Sequence, residues 1–94
     1  MITFRELKRG DKVIIKNRVK TIPCDVIVDG RRFLAEAVET DEECTVRAFP
    51  HYDNGLGGRF VEFYLYDANG EPIKETMLVD DLDRTETGRF KIVQ

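Results

Sequence analysis

His51 is the only imidazole in this chain, and Cys24 and Cys44 are its only thiols. Those three residues are the whole stock for nucleophilic chemistry, because the sequence contains no serine at all. Every nucleophile elbow built on Gly-x-Ser-x-Gly is thereby excluded. A Cys–His dyad would need a setting that stabilises the thiolate and a third group orienting the imidazole. Nothing adjacent to Cys24, Cys44 or His51 supplies either, so the expectation is two free, partly buried cysteines and a loop histidine. Two Cys and one His also fall short of the four ligands of a structural zinc site.

Two further stretches invite a chemical reading. "DNGLGGR", residues 53–59, has the glycine content of a phosphate cradle, but such cradles work through the helix N-terminus that follows them. Here an alternating, strand-like segment follows, so the reading is a glycine-rich loop open to partner contact through His51, Tyr52 and Arg59. Asp80, Asp81, Asp83 and Glu86 gather carboxylates without the alternation, central glycine and distal Glu of a calcium loop. They read as a solvated acidic turn. No catalytic residue, cofactor or metal is expected.

The elements that would position these side chains follow from periodicity. Thr3 and Glu6 have capping-box spacing around a short helix of one or two turns, with Phe4 and Leu7 inward and Gly10 as its stop. "KVIIKNRVK" then alternates with period two. That predicts Val13, Ile15 and Val19 inward and Lys12, Lys16, Arg18 and Lys20, joined by Ile14, outward. Pro23 is expected to end this strand or mark an edge. Asp29-Gly30 predicts a hairpin turn. The return segment 31–38 is read as strand, although "RFLAEAVETDEE" also carries a helical stripe. Further strands are expected at "CTVRAF", with Val46 and Ala48 inward, and at "RFVEFYLYD". In the latter Val61, Phe63 and Leu65 face the core, and Phe60, Glu62, Tyr64 and Tyr66 the other side. Asn69-Gly70 should supply positive φ in the next turn. "PIKETMLVD" and "RFKIV" complete the set.

These signals describe one domain over residues 1–94, mainly β in an all-β to α+β sense. The expected architecture is a small antiparallel barrel or curled sheet of five to seven short strands with one short N-terminal helix. "LKRGDKVII", residues 7–15, resembles the entry to the first strand of SH3-like barrels. That resemblance implies the barrel and carries no functional residue.

Charge is divided unevenly. Residues 1–34 hold nine basic and four acidic side chains, and residues 35–94 hold six and fourteen. The net charge is −3 and the 41% hydrophobic content suffices for one modest core. No apolar run reaches the length of a membrane span, and "MITFRELKRG" lacks the apolar region of a signal peptide. A cytoplasmic, non-membrane protein is expected.

Two surfaces remain as candidates. The aromatic stripe Phe60, Tyr64 and Tyr66, with His51, Tyr52 and Arg59, suits a protein interface. The basic residues Lys12, Lys16, Arg18, Lys20, Arg31 and Arg32 could instead contact nucleic-acid phosphates. The leading expectation is a non-enzymatic regulator, adaptor or inhibitor that binds a protein partner; a homodimer is compatible with it. The alternatives are a nucleic-acid binder using the 12–20 strand, or an acidic nucleic-acid mimic using the C-terminal two-thirds.

Overall fold

A computed structural model describes residues 1–52 and 58–94, with residues 49–52 described through their backbone alone. Five antiparallel strands form one sheet in the order β4-β3-β2-β1-β5. They are β1 (Lys12–Val28), β2 (Arg31–Tyr52), β3 (Phe60–Tyr66), β4 (Pro72–Leu78) and β5 (Phe90–Ile92). The sheet curls without closing into a barrel. Phe63 of β3 meets Phe90 of β5 edge to face at 5.5 Å. Arg89 reaches across the open side to both carboxylate oxygens of Glu75 on β4, each at 3.0 Å.

The concave face holds the core. Val13, Ile15, Cys44, Val46, Val61, Phe63, Leu65, Met77, Phe90 and Ile92 line it, and Phe4, Leu7 and Leu82 cover it. The expected N-terminal helix is a single 3-10 turn over Phe4–Glu6, too short for α-helical hydrogen bonds. Its start is held by the Thr3 N–H, which donates to Glu6 Oε1 at 3.0 Å. The turn is fixed to the C-terminal segment by Phe4 N–H to the Arg84 carbonyl and Arg5 N–H to the Leu82 carbonyl. A second 3-10 turn, Val79–Asp81, starts that segment.

The strands are longer than their sequence punctuation suggests. Pro23 does not end β1; it pairs with Ala35, and the strand continues to Val28. Asp29 and Gly30 make the hairpin turn with φ of 51° and 76°, the pair of positive values that a two-residue turn of this hand requires. Residues 31–52 form one continuous strand in place of two shorter ones. In the β3–β4 turn only Gly70 has positive φ. Asp67 organises that turn by accepting the Asn69 and Glu71 N–H groups.

Inserted residues change which side chains point inward. Ile15 pairs with Glu42 and Arg18 with Thr40, so β1 carries one residue more than β2 between them. Asn17 absorbs it with φ of 52°, and its N–H donates to Asp41 Oδ1 at 3.0 Å. Because side chains alternate, one inserted residue exchanges the two faces. Arg18 and Lys20 therefore lie on the side of Val13 and Ile15, whereas Val19 turns outward and is 60% exposed. The expectation of one basic face over 12–20 is corrected accordingly. A second irregularity, at Arg47, turns Ala48 outward opposite Tyr64, correcting its inward assignment.

Beyond this insertion the hairpin stands alone. β5 pairs with β1 only at residues 13–15, and β3 pairs with β2 only from Thr45 onward. Residues 18–40 thus form a two-stranded arm, and none of them belongs to the core. The arm stretches the molecule to 51 × 30 × 22 Å, with a radius of gyration of 16.3 Å. A compact chain of this length would have about 12 Å. No helix among the described residues is long and apolar enough to cross a membrane.

The Asn17 conformation makes a direct prediction. Asn17→Gly should leave the unfolding midpoint nearly unchanged, because Gly accepts positive φ freely. Asn17→Val should cost about 1–2 kcal/mol in a denaturant titration, since a β-branched residue is strained there.

Candidate functional site

Arg18 and Lys20 do not project as free cations. Both ion-pair with Glu42, which is 4% exposed on the concave face. A carboxylate buried to that degree needs partners of opposite charge, and these two basic residues supply them. The cluster sits where the core ends and the arm begins. Cys44 lies next to it, and burial pushes its thiol above the ordinary value, against an opposing pull from the Arg18 guanidinium.

The other candidate phosphate-binding residues are similarly engaged. Lys12 donates to the Thr45 hydroxyl at 2.6 Å. Lys16 binds Glu86 and the Thr87 carbonyl, each at 2.7 Å, and so holds the Glu86 carboxyl below its usual range. Arg32 makes a two-pronged contact with Asp25 at 2.8 and 2.9 Å. Arg31, at the tip of the arm, has no such ion pair among the described residues. The six residues are therefore spread over two faces and about the full length of β1.

Phe60, Tyr64 and Tyr66 do share one face, the convex side of the sheet, and all three are half-buried. The Arg47 side chain lies over the two tyrosines. The Arg47 guanidinium, displaced by its own irregularity, lies 5.2 Å from the Tyr64 ring centroid and 5.7 Å from that of Tyr66. Its buried Nε has no hydrogen-bond acceptor among the described residues. The Tyr64 hydroxyl donates to Glu62, which also pairs with Lys74 at 3.4 Å. Arg59 is exposed at the start of β3, where its carbonyl accepts the Val79 N–H. His51 and Tyr52 pair through their backbones with Glu62 and Val61; their side chains lie outside the described residues, as does 53–57 of the glycine-rich loop.

The groups weighed from sequence are not brought together among the described residues. Cys44 and His51 are seven residues apart on one strand, roughly 20 Å at the usual rise. Cys24 lies on the arm, where its thiol donates to the Phe33 carbonyl at 3.6 Å. Both cysteines are free. The acidic turn is dispersed among ion pairs, with Asp83 on Arg5, Asp81 on Arg84 and Glu86 on Lys16. Among the described residues no group of three metal-capable side chains occurs.

The surface that sequence reasoning missed is the arm itself. Cross-strand partners share a face, so Val19, Thr21, Pro23, Val26 and Val28 lie with Glu39, Ala37, Ala35, Phe33 and Arg31 on the convex side. That face is apolar apart from Thr21 and the charge at either end. The concave side is mixed: Ile22, Ile27 and Leu34 alternate with Lys20, Arg32 and Glu36. Ile27 and Leu34 are 71% and 65% exposed. A signal was present in the β-branched runs on both sides of Asp29-Gly30, but without the second insertion, between Pro23 and Val26, the faces cannot be sorted.

Glu42→Ala should destabilise the fold by about 2–4 kcal/mol in a denaturant titration, because it strands two partly buried cations. Cys24 should react with a maleimide in the folded state, and Cys44, 1% exposed, only at the rate of unfolding. The Cys44 contribution to stability should be complete below the unfolded thiol pKa of about 8.5 and be lost as pH rises through the raised folded value. Unfolding midpoints measured from pH 7 to 10 for the parent and for Cys44→Ala check this.

Neither a protein-family model, nor a curated protein, nor a solved structure matches the chain.

Proposed function

We propose that this chain is a non-enzymatic interaction module that binds a protein partner through its arm and the adjoining convex sheet face. The observation that carries the reading is the arm, which presents seven of the large exposed hydrophobics: Val19, Ile22, Val26, Ile27, Val28, Phe33 and Leu34. An isolated two-stranded ribbon is marginally stable in water, and a contiguous apolar patch on a small domain marks an interaction surface. The half-buried Phe60, Tyr64 and Tyr66 extend it toward the body of the sheet, where Arg47 stacks on the tyrosines. Aromatic and Arg side chains of this kind are enriched at the energetic centres of interfaces. Nucleic acid is the weaker reading, because five of the six basic side chains it calls on are already engaged within the chain.

A photo-crosslinking residue placed at Leu34 tests this reading together with a mobility-shift assay at low salt. The proposal expects saturable protein adducts that disappear in Ile27→Asp/Tyr66→Ala, with no nucleic-acid shift. A shift that weakens steeply with salt, with no protein adduct, would replace it with the nucleic-acid reading.

A further inference from the structure

We infer that the convex face of the arm is built to pack against the same face of a second copy of this chain, with the two arms antiparallel. This inference rests on the reading of the chain as an interaction module and names the occupant of one of its surfaces.

The order of residues along that face sets the pairing. From tip to base the cross-strand layers are Val28/Arg31, Val26/Phe33, Pro23/Ala35, Thr21/Ala37 and Val19/Glu39. A two-fold axis lying between two such faces, across the arm at its middle layer, brings each strand over its own counterpart and the tip over the base. Pro23 and Ala35 then meet themselves. Phe33, the largest side chain of the face, falls on Ala37, one of the smallest, and Val26 falls on Thr21. Val28 falls on Val19. At the two ends Arg31 of one copy meets Glu39 of the other, twice by symmetry, as a face that binds itself requires.

Each feature that this arrangement needs is present in the single chain. Neither Arg31 nor Glu39 has an ionic partner among the described residues, although Arg32 and Asp25, one face away, are paired with each other. Val19, Val26, Val28 and Phe33 are all exposed. The small central pair Pro23/Ala35 permits close approach, with bulk placed to either side, the pattern of interdigitating sheet faces. Parallel arms, related by a two-fold along their length, would instead set β1 over β2, with Arg31 on Val28, Phe33 on Val26 and Glu39 on Val19, so that neither charge meets its opposite.

Sedimentation across a concentration series tests the pairing, with circular dichroism showing that each variant is folded. The parent should pass from monomer to dimer. Ala35→Glu, which places two carboxylates at the axis, should abolish the transition. Arg31→Glu should raise the dissociation constant on the order of tenfold, and the charge swap Arg31→Glu/Glu39→Arg should recover most of it. In a Cys24→Ala background, a short bismaleimide should link Ala35→Cys to itself but not Ile27→Cys, because the tips lie at opposite ends. A parent that stays monomeric throughout would overturn the inference and leave the crosslinking test of the module reading intact. A dimer indifferent to Ala35→Glu would overturn it as well, by placing the contact elsewhere.

Discussion

One inserted residue decides what this molecule presents to solvent. Asn17 adopts positive φ and gives its N–H to Asp41, and the strand resumes with its faces exchanged. Without that exchange Val19 would continue the core row of Val13 and Ile15, and Arg18 and Lys20 would project from the convex side. With it, the two cations turn inward onto Glu42 and the valine turns out. Asn suits the position because it tolerates left-handed backbone at lower cost than a branched residue.

The Glu42 cluster is the polar end of the core. Up to Cys44 and Val13 the concave face is apolar and covered by Phe4, Leu7 and Leu82. Past Glu42 no core residue among the described ones covers it, and the sheet narrows to two strands. A carboxylate buried without compensation would cost several kcal/mol, so the body of the sheet and the base of the arm are tied together through Arg18 and Lys20. The arm inherits its direction from this junction and gains little stability of its own, since its side chains add nothing to the core.

Much of the architecture was legible in the residues. Phe4 and Leu7 point inward, Asp29-Gly30 makes the turn, and β3 alternates as its sequence reads, because each depends on near neighbours along the chain. The faces of β1 beyond Ile15 were not legible. Alternation read straight through Lys16 and Asn17 assigns Val19, Arg18 and Lys20 to the wrong sides, and only pairing with β2 shows the insertion. The stretch 34–43 is rich in Ala and Glu, whose intrinsic preference is helical; pairing along the hairpin overrides it. The aromatic stripe lies on the face its alternation predicts, but the Arg47 guanidinium over its two tyrosines comes from an irregularity in the neighbouring strand.

A local backbone event thus determines a surface. The insertion at Asn17 and a second one after Pro23 together set Val19, Val26 and Val28 beside Phe33, Ala35 and Ala37 on the convex side and end that row in Arg31 and Glu39. The most direct test of this claim is methyl NMR followed as the protein is concentrated. Docking through the convex face predicts that the Val19, Val26, Val28, Ala35 and Ala37 methyl signals shift together while those of Ile27 and Leu34, on the other face, hold still. Shifts confined to Ile27 and Leu34, or none at any position, would contradict it.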